Sequence, residues 1–233
     1  MKKTYFLLLL LFFFAISNSC ADMKIIAISG AVSIRHGVQE EWTRAAAGDI
    51  LKPEDSIELR KKSTATILID GKIKMTIPES VIIDIADIRN LTQEELLLKL
   101  AMEQVRSIPP KKDENELIIP RTTTVHGDNR NAVPSSSVKN KEIGQMQLNG
   151  TKVLYDHGFY ATCVLKVKEI FRLHPELSKM VTMHLMVAAA LEKMNLTGEA
   201  LNEYINLKNE QLTDAQRLIV AEKIKSFTKE DSK

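Results

Sequence analysis

With 233 residues, 44% of them hydrophobic and 27% charged, the chain has the balance of a globular protein with room for one large domain or two small ones, which excludes wholesale disorder. Its formal charge of +2 falls to zero once Lys2 and Lys3 are set apart, so the clustered basic surface that phosphate binding needs is missing and nucleic acid is not an expected partner. The two cysteines, Cys20 and Cys163, do not make a disulfide framework.

Lys2 and Lys3, an apolar run from Tyr5 to Ile16 and the small polar Ser17, Asn18 and Ser19 are the three regions of a secretory signal over residues 1–20. The run of 12 residues is short of the ~20 that a helix needs to cross a bilayer core. Cys20 directly after it resembles the lipobox of bacterial lipoproteins, which implies cleavage before Cys20, its acylation and a membrane tether. Ser17 and Ser19 stand where that family has Leu and Gly or Ala, and ordinary cleavage after Ala21 is the alternative. Either route exports the chain, to the periplasm or, as a lipid-anchored protein, to the outer membrane.

From Lys24 to Asp87 the apolar residues alternate, β-branched residues are frequent and Gly, Pro and Asp punctuate the runs, which predicts strands. They fall at Ile26–Ile34, broken by Gly30, then at Ser56–Leu59, Ala65–Ile69, Lys72–Ile77 and Val81–Ile85. Asp70-Gly71 is a hairpin signal because both residues take positive φ cheaply. Asp49, Asp55 and Asp70 sit in turn contexts where a carboxylate serves backbone N–H groups, and are read that way instead of as calcium ligands. The series Gly30-Ala31-Val32, Trp42, Gly48-Asp49, Pro53 to Ile57, Ser63 to Gly71 and Ile77-Pro78 resembles the FecR-like domain of bacterial envelope proteins. Glu116 to Gly127 is similar to that family's closing strand pair, so the resemblance implies an all-β domain over 24–128 with Trp42 packed on its core. Some members of the family relay an outside signal to a sigma factor. No cytoplasmic part or spanning helix of such a regulator is read in these residues, so direct relay is not expected.

The chain departs from that pattern at 92–107. Thr92 with Glu95 makes a capping box, and Leu97, Leu100, Ala101, Val105 and Ile108 recur at helical spacing, which predicts a helix ending before Pro109-Pro110 and packing across the β domain. Residues 129–141, with Pro134 and Ser135-Ser136-Ser137, read as a linker.

Beyond the linker the apolar period switches to 3.6 and predicts a helical domain over 142–229. Helices are expected on either side of His157-Gly158, the second stopping at His174-Pro175, with Tyr160, Val164, Val167 and Phe171 on one face. Met183, Val187, Ala190, Leu191 and Met194 form the next stripe, its partner carries Ala200, Leu201, Tyr204 and Ile205, and a last helix follows the Thr213–Gln216 cap with Val220, Ile224 and Phe227 inward. Gly158 to Cys163 with Pro175, and Asn195 to Ala200, resemble the turn and small-residue positions of tetratricopeptide repeats. Cys163 and Ala200 are 37 residues apart against the usual ~34, and a non-repeat bundle is the alternative. The resemblance implies a groove that binds a protein or peptide, with Lys152, Tyr155 and Glu192 as candidate groove residues.

The five histidines show no metal-ligand spacing, and no nucleophile elbow or phosphate-binding loop is present, so neither metal, cofactor nor catalytic residue is expected. Cys163 fits a buried structural thiol. The expectation is therefore an α+β chain of two domains, a non-enzymatic binding or scaffold protein of the bacterial envelope. Its partners would be an envelope protein or peptide and, through Cys20, a membrane. The alternative is an envelope enzyme acting on cell-wall polymer, with acidic residues paired across a cleft.

Overall fold

The computed structural model describes residues 23–39, 41–108 and 135–230. The expected signal segment with Cys20, the expected closing strands at 116–127 and positions 129–134 of the expected linker lie outside the described residues. The architecture is α+β: two antiparallel sheets, then six helices among the described residues.

The strands are β1 (Met23–Ser29), β2 (Val32–Arg35), β3 (Thr43–Arg44), β4 (Ile50–Leu51), β5 (Ser56–Leu59), β6 (Thr64–Ile69), β7 (Ile73–Ile77) and β8 (Val81–Asp84). One sheet has the order β4-β1-β6-β7, the other β3-β2-β5-β8. Period-2 alternation puts Met23 and Ile25 of β1, Ala65, Ile67 and Ile69 of β6 and Met75 and Ile77 of β7 into the core, while their neighbours face out. The chain changes sheets at Gly30, where φ is +81° and a Cβ would stand 2.4 Å from the Lys62 carbonyl oxygen. Only glycine fits such a corner. At the β6–β7 turn Asp70 and Gly71 take φ of 51° and 65°, and Ile69 pairs with Ile73 across it.

The helices are α1 (Gln93–Ser107), α2 (Ser135–Asp156), α3 (Tyr160–Leu173), α4 (Val181–Lys193), α5 (Thr197–Leu207) and α6 (Asp214–Glu230). Helix α2 begins inside the segment read as linker, at Ser135. Gly158, at φ +85°, turns α2 into α3, a 3-10 turn at Pro175–Leu177 follows α3, and Asn195, at φ +59°, turns α4 into α5. In the stripes expected of α3 and α4, Val164, Val167, Phe171, Met183, Val187, Ala190 and Leu191 are buried and Tyr160 and Met194 are partly buried against the core; Ala200 and Tyr204 of α5 are buried too. Ile205 is exposed, because Leu207 completes the inner face of α5 in its place.

The β and helical halves share one hydrophobic core, running from Ile25 and Ile57 through Leu148 and Leu154 to Val187 and Ala200. They meet where α2 lies on β8. Gly150 is the point of closest approach, since a Cβ there would stand 2.2 Å from the Ile82 carbonyl oxygen. Beside it, the Asn149 side-chain amide donates to the Ser80 carbonyl at 2.8 Å. Covering β8 in this way removes a sheet edge from solvent.

Two expectations are corrected. Helix α1 forms with its Thr92–Glu95 capping box, but it packs on α3 and not across the sheets. Its inner side chains are Leu96, fully buried, and Leu100, whereas Leu97, Val105 and Ile108 are exposed. The helical spacing holds, but of the expected stripe only Leu100 faces inward, because α1 carries apolar residues on two faces. Trp42 is half-buried and lies outside the core, its ring covered by the Arg35 guanidinium at 5.2 Å. A cation over the ring face replaces the aliphatic packing that the family resemblance implied.

Candidate functional site

Helix α1 is held at three places. Its cap is reciprocal, with Thr92 Oγ1 accepting from the Glu95 amide at 3.2 Å and Glu95 Oε2 accepting from the Thr92 amide at 3.1 Å. The Gln93 side-chain amide donates to the Met194 carbonyl at 2.6 Å, and Glu103 accepts from Arg172 Nε of α3 at 2.8 Å. So fixed, α1 separates two clefts.

The first cleft, of about 650 Å³, lies between α1, α3 and the 3-10 turn Ile85–Asp87 that follows β8. Lys166 of α3 stands on its wall with Nζ 2.7 Å from Asp84 Oδ2, 3.0 Å from Glu169 Oε2 and 3.3 Å from Asp87 Oδ2. Asp84 accepts a further bond from Ser56 Oγ at 2.7 Å, and Ser56 accepts one from Arg35 at 3.0 Å. Burial would raise the Asp84 carboxyl, but the Lys166 ammonium, the Ser56 hydroxyl and Arg35 outweigh it and hold that group below the usual carboxylate range. Asp87 goes the other way, pushed up to about 6, because burial and the neighbouring Asp84 charge outweigh its longer contact with Lys166. Lys166 is raised: its burial is more than offset by Asp87, Asp84 and Glu169. Beside the group, Thr162 Oγ1 donates to the Arg89 carbonyl at 2.8 Å and fixes α3 to the end of the sandwich.

The second cleft, of about 660 Å³, lies on the other side of α1, against α3 and α5. Leu100, Val164, Phe171 and Leu191 make an apolar floor, and Lys168, Arg172, Asn202 and Glu203 rise around it. Glu203 is bonded to Lys168 Nζ and faces His184 Nδ1 at 3.5 Å, while His184 Nε2 donates to the Ser178 carbonyl at 2.7 Å. The imidazole lies against Phe171 with centroids 4.9 Å apart. A neutral ring that donates through Nε2 would aim a lone pair at the carboxylate, so the geometry favours the cation. The Glu203 contact accordingly raises the His184 pKa, with the Ser178 carbonyl adding to it.

Lys152, Tyr155 and Glu192 line neither cleft. Lys152 is exposed on α2, and Tyr155 is half-buried in an edge-to-face pair with Tyr160, centroids 5.3 Å apart. Glu192 accepts from the Tyr204 hydroxyl and from Lys223 Nζ, both at 2.5 Å, and so links α4 to α5 and α6. Cys163 is fully buried and its thiol is pushed up to about 12 by that burial, far from the range of a nucleophile. In the turns, Asp49 accepts from the Ala46 amide at 2.8 Å and Asp55 from the Lys52 amide at 2.9 Å, the roles read for them. Asp55 also meets His36 Nδ1 at 3.1 Å. Among the described residues no group of three or more His, Cys, Asp or Glu side chains is arranged to hold a metal ion, and no helix is long and apolar enough to cross a membrane. The cleft residues were missed because Lys166 and Asp84 are 82 positions apart; the only local trace is the i,i+3 spacing within Asp84/Asp87 and Lys166/Glu169.

Compared with protein-family models, curated proteins and solved structures, the chain has no match in any of the three.

Proposed function

We propose that this chain is a non-enzymatic scaffold of the bacterial envelope, exported and tethered through acylated Cys20, which binds a protein or peptide partner on its helical half. In this reading the β half is a FecR-like domain, and the α2–α3 and α4–α5 hairpins are tetratricopeptide-like pairs. The short strands at the positions where the resemblance expects them support the first assignment; the Gly158 and Asn195 turns support the second.

The observation that carries the binding role is the second cleft. It combines an apolar floor with a rim of both charge signs, the composition of a site for an extended peptide. It is built on helices fixed to the sandwich by a shared core, so little ordering cost falls on the protein when a partner docks. The partner surface is thus assigned to α1, α3 and α5, and not to Lys152, Tyr155 and Glu192. A photo-crosslinking side chain at Asn202, introduced in the living host, is expected to capture one defined envelope protein or peptide, and the same probe at Lys152 to capture none. Adducts from Lys152 alone would return the partner to the α2 surface. Intact mass of membrane-extracted wild type and Cys20→Ala chains tests the tether, acyl groups being expected on the first only.

One observation favours the enzyme reading: Asp87 titrates near pH 6 in a cleft that also contains Glu103 and Glu169, the range of a general acid. Against it, Lys166 contacts both Asp87 and Glu169 and occupies the space between them. Release of soluble fragments from purified cell wall, lost in Asp87→Asn, would decide for the enzyme.

A further inference from the structure

Helix α1 has an outer apolar face that nothing in the described structure covers. Leu98 is 65% exposed, Val105 68%, Ile108 67%, Met102 48% and Leu97 40%. At 3.6 residues per turn these side chains, with exposed Ala101 among them, fall within an arc of about 140°. Glu94, in the first turn, is the one charge inside that arc. Along its border, on the side of the first cleft, lie Glu95, whose carboxylate is turned back to the Thr92 amide in the cap, then Arg106, paired with Glu103 at 2.7 Å, and Lys99, the last two lining that cleft together with Met102 and Met23. A helix with a broad apolar face, with Lys99 and Arg106 beyond its edge and the one bordering carboxylate, Glu95, engaged in the cap, has the pattern of one that lies in a membrane interface.

Met23 determines which occupant the face is suited to. It opens β1 and stands three positions after Cys20, a span of at most about 11 Å. Met23 and Met102 line the same cleft, so acyl chains on Cys20 would start within that distance of the cleft that the apolar arc borders. Acyl chains on Cys20 fix one point of attachment, and a fixed orientation on the bilayer takes a second contribution. We propose that the outer face of α1 is that contribution: it rests on the bilayer surface, with Leu98, Met102 and Val105 among the acyl chains and Lys99 and Arg106 at anionic headgroups. The face thereby orients the molecule, holding the sandwich and both clefts at a fixed angle to the membrane. This inference deepens the tethered-scaffold reading and rests on it for the position of the lipid.

The test uses the full acylated chain on vesicles of phosphatidylethanolamine and phosphatidylglycerol, with an environment-sensitive dye on Ala101→Cys or, as control, on Leu218→Cys of α6, which is 70% exposed. The dye is expected to shift to the blue at position 101 and not at 218. Leu98→Glu with Val105→Glu is expected to abolish that shift, and in the unacylated Cys20→Ala chain to lower partitioning at least tenfold. Both side chains are already two-thirds exposed, so the pair leaves the packing of α1 intact, and an unchanged thermal melt verifies it. A dye at 101 that stays in water while the acylated chain is bound would overturn the inference. So would a dimer in light scattering that the same two substitutions dissociate, since a second copy would then cover the face. If mass analysis finds no acyl group and the chain still partitions through α1, the tether fails while the membrane face stands.

Discussion

The two halves of the molecule satisfy their polar side chains over different distances along the chain. In the sandwich, side-chain hydrogen bonds are local or run between ladder neighbours: Asp49 serves Ala46, Asp55 serves Lys52, and Ser56 bridges Arg35 and Asp84 on adjoining strands. Around the helices they join elements that are remote in sequence, 69 positions apart for Asn149 and Ser80, 73 for Thr162 and Arg89, and 82 for Lys166 and Asp84. The sheets are ordered by their backbone ladders and the helices by cross-element side chains. Damage at the seam should therefore spread through the shared core, whereas damage within a turn should stay local.

The largest expected effect comes from Gly150. A valine there puts Cβ 2.2 Å from the Ile82 carbonyl oxygen, well inside van der Waals contact distance, and forces α2 off β8, at a cost of about 3 kcal/mol or more. Gly158→Ala serves as the comparison. No atom lies within 4 Å of its would-be Cβ, so only positive-φ strain remains, about 1 to 2 kcal/mol. Urea unfolding measures both. Fluorescence of Trp42 reports the sandwich and far-ultraviolet circular dichroism the helices, and the two transitions should coincide in the wild type. Coincidence preserved in Gly150→Val with no loss of stability would mean that the seam does not couple the halves.

The ion group at the seam gives a comparison within a few ångströms. Asp87 has a folded pKa of about 6 against an ordinary 3.8. Between those values the folded chain holds more protons than the unfolded one, so stability falls as pH rises through the window, and above it the charged carboxylate costs up to about 3 kcal/mol. Asp87→Asn should thus stabilise the protein at pH 7 and make little difference at pH 4. Asp84 is held low, so it contributes stability above its ordinary pKa that is lost as pH falls. Asp84→Asn should destabilise at pH 7 by at least about 1 kcal/mol. Thermal melts of the two variants at both pH values read the opposite signs, and equal signs would refute this division of roles.

What was legible in the sequence follows the same boundary. Period-2 runs, Gly30 and Asp70-Gly71 located β2 and β5 to β8 to within a residue or two, because ladder pairing and positive φ are local demands, but they started β1 three residues late and gave no sign of the two-residue strands β3 and β4. The Thr92–Glu95 and Thr213–Gln216 caps were readable for the same reason, and both form. The phase of α1 was not readable, since a helix with two apolar faces does not say in sequence which one is inward. Nor was the seam: nothing in the local sequence marks Gly150 as the point where β8 lies against the helix. Glu192 was legible only as a charged position on an amphipathic helix, and its Tyr204 and Lys223 partners make it a link between helices.

The smallest expected effect tests whether the second cleft also titrates. His184 gains its folded partner in Glu203, so its raised pKa contributes stability that is fully present below the ordinary histidine value of about 6.5 and is lost as pH rises through the folded value. His184→Gln keeps a donor for the Ser178 carbonyl but cannot carry charge, so it should cost about 1 kcal/mol at pH 6 and progressively less above pH 7. The titration is expected to reach the cleft as well, because His184 and Lys168 share Glu203 on the rim. Once His184 is neutral, Glu203 keeps only the Lys168 partner, and affinity for a peptide docked there should change with pH in the wild type and not in His184→Gln. A pH-independent crosslinking yield from Asn202 in both forms would confine the histidine to a structural role.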